Sequence, residues 1–106
     1  MKLGRIVTID PPNTIADGAI PTHIGELEFK IMRQNVTEIL TVTDAQLIDQ
    51  MKFCAERMKL VIEPTGCLGL AGAQFCGVPI KGKKVGIIIT GGNVDLERFA
   101  KLITTK

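Results

Sequence analysis

The stretch Val85-Gly86-Ile87-Ile88-Ile89-Thr90-Gly91-Gly92-Asn93 decides how this chain is read. Four of its first five residues are apolar and β-branched, and Lys83 and Lys84 precede them. A short continuous apolar run of this kind predicts a strand buried on both faces. Thr90-Gly91-Gly92-Asn93 breaks the run. Leu96, Phe99, Ala100 and Ile103 then recur at helical spacing and predict a helix over Val94 to Ile103. In open α/β sheets, ligands sit at such turns, at the carboxyl ends of strands. The turn is therefore the first candidate site.

Upstream, Lys81-Gly82-Lys83-Lys84 reads as an exposed turn, and Gly77-Val78-Pro79 ends a helix. That helix starts in Glu63-Pro64-Thr65-Gly66, where proline's missing N–H costs nothing, and runs to about Cys76. It is apolar nearly all round and carries Gly66, Gly69 and Gly72 at a spacing of three. Each interior glycine costs about 1 kcal/mol against alanine. Several on one face predict close approach of another backbone or a ligand. Leu60-Val61-Ile62 is a brief extended piece. Thr43-Asp44-Ala45-Gln46 spells a capping box. It opens a helix to about Met58 with an apolar stripe of Leu47, Met51, Cys54 and Met58, widened by Ile48 and Ala55. Glu38 to Val42 predicts a second strand, and Gly25 to Asn35 a helix with Ile24, Leu27 and Ile31 on one face. Asp10-Pro11-Pro12-Asn13 is a turn, and Thr14-Ile15-Ala16-Asp17-Gly18 continues as loop.

Two apolar strands with helical crossovers predict an α/β class: a partial parallel sheet with flanking helices, in one segment spanning residues 1–106. Two strands make a poor sheet, so neighbouring strands are expected from outside the chain. The composition agrees. A chain of 106 residues that is 45% hydrophobic, with mean hydropathy +0.25, needs a partner to cover its surface. Its net charge is only +2, from interspersed charges, and aromatics are 4%. Nucleic-acid binding and an acidic membrane surface are not implied. Three cysteines without a C-x-x-C pair, no signal-peptide layout and no membrane-length apolar run predict a reduced, cytoplasmic setting.

Each candidate site has an ordinary alternative. Thr90-Gly91-Gly92-Asn93 offers backbone N–H groups and a hydroxyl to a ligand, or is a plain connection with Asn93 as N-cap. Asp95 and Glu97 in the following first turn would repel phosphate, so a phosphate cradle is not expected there. Glu63 and Thr65 place a carboxylate and a hydroxyl at a helix start, or simply begin the helix. His23 lacks ligand-type neighbours and reads as a loop residue. The cysteines read as core residues.

In order along the chain, three pieces form a distinctive set: Thr14-Ile15-Ala16-Asp17-Gly18; Glu56-Arg57-Met58-Lys59 running into Glu63-Pro64-Thr65-Gly66; and Thr90-Gly91-Gly92-Asn93-Val94-Asp95. The set resembles the C-terminal part of the fold-type II pyridoxal-phosphate enzymes, in the serine/threonine dehydratase and serine racemase family. Within it, the sequence is most similar to the serine racemase and threo-3-hydroxyaspartate dehydratase branch. The resemblance covers almost the whole chain. It implies that the Thr90 hydroxyl hydrogen-bonds the cofactor's pyridine nitrogen, that Gly91 and Gly92 let the backbone approach the ring, and that Glu63 lies near it. A neutral hydroxyl does not hold a proton on that nitrogen as an aspartate would, so the ring is a weaker electron sink. That suits α-proton removal coupled to loss of a β-hydroxyl. The resemblance further implies a nucleotide effector site between subunits, with contributions from Lys59, Asn93 and Asp95.

The same resemblance defines what is missing. No lysine here matches the family's Schiff-base lysine in its Ser-x-Lys context. The phosphate loop's glycine run is absent, the longest run being Gly91-Gly92, and the carboxylates for a divalent cation fall upstream of Met1. Cys67 stands where many relatives carry a small residue, and the short, unregulated members are the ones implied. The expectation is a C-terminal fragment of a pyridoxal-phosphate-dependent ammonia-lyase. The whole enzyme would eliminate water from serine, threonine or 3-hydroxyaspartate and yield a 2-oxo acid and ammonia. Alone the fragment would be inactive, completed by an N-terminal segment or by homo-oligomerisation. The alternative is a non-catalytic α/β interaction or effector-binding module on the same fold.

Overall fold

A computed structural model describes residues 2–105, in which four α-helices are joined by irregular chain: α1 (Glu26–Asn35), α2 (Asp44–Phe53), α3 (Leu68–Phe75) and α4 (Leu96–Ile103). The predicted capping box opens α2. The Thr43 hydroxyl accepts from the Gln46 N–H at 3.3 Å, and the Gln46 side chain accepts from the Thr43 N–H at 2.9 Å. After Phe53 the helix widens into one π turn, Cys54–Met58, and stops where Lys59 adopts a left-handed φ of 58°. The expected end near Met58 is thus observed.

The core is built on α2. Leu47, Met51 and Cys54 of the predicted stripe are buried, together with Ala16, Ile62, Cys67, Ala71 and Phe99. Met58, the stripe's last member, is exposed because the π turn rotates it away from that face. Helices α3 and α4 both pack on α2. Pro64 starts a short 3-10 turn, Thr65–Cys67, which leads into α3. The single helix expected from Glu63 to Cys76 is therefore two pieces, and Gly66 lies in the first, buried.

Two expectations need correction. Helix α4 begins later than Val94, and its N-cap is Asp95, not Asn93. The Val94 N–H turns back to the Gly92 carbonyl at 2.9 Å, so the turn continues for two more residues. The Asp95 carboxylate then accepts from the Arg98 N–H at 3.0 Å. Of the predicted apolar face, Phe99 is buried and Ile103 half-buried, while Leu96 and Ala100 face outward.

The second correction concerns the sheet. Glu38–Val42 and Val85–Ile89 form no β-ladder, and among the described residues no strand is present. No backbone hydrogen bond joins the two segments. A strand exists only with a partner along its backbone, and propensity alone does not supply one. Instead, Ile87 lies over Gly69 of α3, and the Cys76 thiol bonds the Thr41 carbonyl at 3.4 Å.

Much apolar surface is left uncovered. The chain exposes 8074 Å², where a folded monomer of this mass exposes about 5,800 Å². Its radius of gyration is 15.1 Å, against about 13 Å for a compact domain of this length. Helix α1 buries no residue; its Leu27 and Ile31, and Ile24 just before it, are exposed. Among the described residues no helix is long and apolar enough to cross a membrane.

Candidate functional site

Two glycine-bearing segments, some 25 residues apart in sequence, meet backbone to backbone. The Glu63 N–H donates to the Gly91 carbonyl at 3.1 Å. A Cβ on Gly66 would lie 2.7 Å from that carbonyl oxygen and 2.8 Å from Ile62 Cγ2. A Cβ on Gly92 would overlap the Val61 carbonyl, and Gly91 holds φ at 151°, a value that side-chain-bearing residues rarely adopt. The junction of 61–66 with 91–92 therefore requires glycine at all three positions. This answers, for Gly66, the sequence's demand for a close neighbour.

The junction brings Thr90, Gly91, Gly92 and Glu63 together. Glu63 is half-buried, and its Oε1 is 3.6 Å from where a Gly91 Cβ would stand. Thr90 is exposed at the end of the apolar run, and its hydroxyl makes no hydrogen bond among the described residues. These four residues line none of the cavities of about 650, 600 and 360 Å³. They form an open surface.

A third segment locks the junction from outside. The Gly18 N–H donates to the Thr65 hydroxyl at 2.9 Å, and Gly18 packs so tightly there that a Cβ would lie 2.9 Å from Thr65 Cγ2. Thr14 Oγ1 donates to Asp44 at 2.5 Å, and the Ile15 N–H donates to the same carboxylate at 3.3 Å. Arg98 reaches from α4 to Asp17 at 2.7 Å and to the Ile15 carbonyl at 3.1 Å. Its hydrogen bond holds the Asp17 carboxyl below the ordinary value of 3.8. The three stretches singled out in the sequence are thus one assembly. The bracing roles of Arg98 and Asp44 carry no signal in the sequence, because their partners are 81 and 30 residues away and leave no local pattern.

The residues set apart for an effector are less united. Lys59 spends its ammonium on the Glu56 carbonyl at 2.7 Å. Asp95 caps its own helix. Asn93 is exposed, and no hydrogen bond or ion pair joins Lys59 to Asn93 or Asp95 among the described residues. Beneath the junction, Cys54 and Cys67 are both buried. Burial first, and Cys54 second, push the Cys67 thiol up to about 12. Among the described residues no group of three or more His, Cys, Asp or Glu is placed to hold a metal ion.

The arrangement fits one end of a flat, heteroaromatic cofactor: a neutral hydroxyl beside backbone stripped of side chains. It offers no phosphate cradle, since Asp95 caps the following helix. Residues 1–91 match the model of the family described as pyridoxal-phosphate dependent enzyme. The chain is 55% identical over 102 residues to an L-threo-3-hydroxyaspartate ammonia-lyase from Pseudomonas sp. and 54% identical over 103 residues to a serine racemase from Schizosaccharomyces pombe. These matches cover 96% and 97% of this chain. In both cases it spans only 32% of the relative's length. Among solved structures, a threonine deaminase from T.th. superposes with TM-score 0.82 at 37% identity, covering 89% of this chain and 32% of that one. A maize serine racemase superposes with TM-score 0.81 at 37% identity, covering 94% and 33%. These matches place the chain in the pyridoxal-phosphate-dependent enzyme family, and it spans about a third of the length of the relatives named.

Proposed function

We propose that this chain is the ring-facing, C-terminal part of a pyridoxal-phosphate-dependent ammonia-lyase. The whole enzyme eliminates water from a small β-hydroxy amino acid and releases ammonia and a 2-oxo acid. The observation that carries this reading is the Glu63–Gly91 hydrogen bond at 3.1 Å, which closes the glycine junction and leaves the Thr90 hydroxyl at its edge. The relatives named above act as ammonia-lyase, racemase and deaminase, and each is consistent with such a site.

When bound, the cofactor draws electron density from the amino acid's α-carbon. Thr90 holds the ring nitrogen through a neutral hydroxyl and leaves that nitrogen unprotonated. Gly91 and Gly92 carry no side chain to hold the ring off. Glu63 borders the same surface and orients the ring edge. The group that takes the α-proton belongs to the remaining length of the enzyme, so this chain alone is inactive. A divalent cation, where the enzyme takes one, is likewise held outside these residues. Lys59, Asn93 and Asp95 contribute to a nucleotide effector contact between subunits. Glu38–Val42 and Val85–Ile89 become strands of the complete α/β sheet of the cofactor-binding domain, and the three free thiols suit a reducing cytoplasm.

A chimera tests the reading. These 106 residues replace the matching third of the Pseudomonas sp. ammonia-lyase. The chimera should form a 2-oxo acid from L-threo-3-hydroxyaspartate, and the isolated chain with pyridoxal phosphate should form none. A folded, cofactor-loaded chimera without turnover would overturn the proposal, as would turnover by the isolated chain.

A further inference from the structure

Arg98 is held by its backbone and holds by its side chain. Its N–H donates to the Asp95 carboxylate at 3.0 Å, the cap that starts α4 just after the Thr90–Asn93 turn. Its guanidinium reaches Asp17 at 2.7 Å and the Ile15 carbonyl at 3.1 Å. The far end of this reach is anchored. The Thr14 hydroxyl and the Ile15 N–H donate to the Asp44 carboxylate at 2.5 and 3.3 Å, and Ala16 is buried in the core. A supporting side chain fixes its neighbours only where both of its ends are themselves locked, and here both are.

From Asp17 the contacts return to the turn. The Gly18 N–H donates to the Thr65 hydroxyl at 2.9 Å. Thr65 adjoins Gly66, which faces the Gly91 carbonyl with no room for a Cβ, and the Glu63 N–H donates to that carbonyl at 3.1 Å. The path from Thr90 through the start of α4 to Arg98, and back through residues 15–18, Thr65 and Gly66 to Gly91, is a closed ring. The Thr90 hydroxyl makes no hydrogen bond of its own among the described residues, so the ring is what fixes its place. Lys101 on the same helix pairs with Glu97 at 3.0 Å, within α4, and closes no such ring.

We infer that Arg98 is a positioning residue for the Thr90 hydroxyl: by closing this ring it sets the hydroxyl where the cofactor's ring nitrogen lies. The inference deepens the reading of the chain as the ring-facing part of an ammonia-lyase, and it rests on that reading. Arg98 acts through Thr90 and its turn, not by contact with the cofactor. A hydrogen bond weakens steeply as its angle and distance leave the optimum, so a loosened turn weakens the Thr90 bond without abolishing it. Loss of Arg98 therefore harms cofactor binding no more than loss of the hydroxyl does, and does no further harm once the hydroxyl is gone.

The test makes Arg98→Gln in the chimera with the Pseudomonas sp. ammonia-lyase and in the free chain. In the chimera the dissociation constant for pyridoxal phosphate, read by absorbance, should rise about two- to fivefold. Arg98→Lys keeps a cation opposite Asp17 and should recover part of that rise, and Lys101→Gln should cause none. In a Thr90→Ala background Arg98→Gln should add nothing, because residues that act as a unit do not add. A residue that served stability alone would keep its full effect there. In the free chain, Arg98→Gln should speed exchange of the Glu63 amide at least about threefold more than that of the Met51 amide in α2. Additivity with Thr90→Ala, an unchanged dissociation constant, a lysine variant no better than glutamine, an equal rise from Lys101→Gln, or equal exchange at Glu63 and Met51 would each overturn the inference. An unsubstituted chimera that takes up no pyridoxal phosphate would sink the ammonia-lyase reading instead, and exchange in the free chain would still decide whether Arg98 holds the turn.

Discussion

The backbone N–H of Glu63 donates to the carbonyl of Gly91 at 3.1 Å, and that one bond ties the loop before α3 to the turn before α4. Its geometry leaves no room for side chains. A methyl group on Gly66 would press on the Gly91 carbonyl oxygen, which is backbone and cannot swing aside. Gly66→Ala should therefore destabilise the chain by about 1–3 kcal/mol. Gly72→Ala is the contrast, because that position opens onto free space within a helix. It should stabilise by about 0.5–1 kcal/mol. Urea denaturation of the two variants checks both signs. Equal effects would show that the glycine row is not position-specific.

The sequence made the helices legible, because helices are local. The capping box at Thr43 and Gln46 names its own partners, three residues apart, and both bonds are present. The spacing of Leu47, Met51 and Cys54 names a buried face. Strands are not local. The run Val85 to Ile89 has the composition of a strand, but its partner lies elsewhere, and propensity cannot supply it. The start of α4 escapes the sequence for a related reason: both Asn93 and Asp95 are good N-caps, and a turn closed by Val94 onto Gly92 chose between them. The site was half legible. Gly91, Gly92, Glu63 and Thr90 stand out by type, whereas Arg98, reaching Asp17 across 81 positions, resembles any other helix-face arginine.

Arg98 makes the second prediction. It holds Asp17 and the Ile15 carbonyl, and so fixes the loop that braces Thr65. Both side chains of the pair are well exposed, so after solvent screening the pair contributes only about 0.2–1 kcal/mol. The Asp17 carboxyl is held below 3.8, first by that hydrogen bond and then by its own backbone. A lowered folded value gives stability that is present above the unfolded value and is lost as pH falls through the folded one. Arg98→Gln should weaken the chain at pH 7 and should matter less as pH falls and Asp17 is protonated, leaving only the bond to the Ile15 carbonyl to lose. Urea titrations of both proteins at pH 7 and through the acid range measure the difference.

Cys67 titrates in the opposite direction. Its thiol is pushed from 9.0 up to about 12 by burial, and then by Cys54 beside it. Stability from the neutral thiol is complete below the unfolded value and is lost as pH rises through the folded one. Melting temperature should therefore fall between about pH 9 and pH 12. Cys67→Ala should flatten that fall, at the cost of about 1 kcal/mol at neutral pH for the small cavity it leaves. A wild-type chain whose melting is level across this range would refute the burial argument.

Thr90 separates a role in the site from a role in the fold. Its side chain is exposed, so Thr90→Ala should change the stability of the isolated chain by less than about 0.5 kcal/mol. In the chimera with the Pseudomonas sp. ammonia-lyase the same change removes the hydroxyl proposed to hold the ring nitrogen. A lost hydrogen bond of about 0.5–1.5 kcal/mol lowers turnover or cofactor affinity by about two- to tenfold. Thr90→Ser keeps the hydroxyl on the same backbone and should restore most of that loss. Thr90→Asp would hold a proton on the ring nitrogen, and it should alter the balance between elimination and racemisation more than it alters cofactor affinity. Steady-state rates for ammonia release and for inversion at the α-carbon, measured on the three variants, give the comparison. If alanine and serine behave alike, Thr90 does not act through its hydroxyl. The glycine junction would then be the whole of this chain's contribution to the ring.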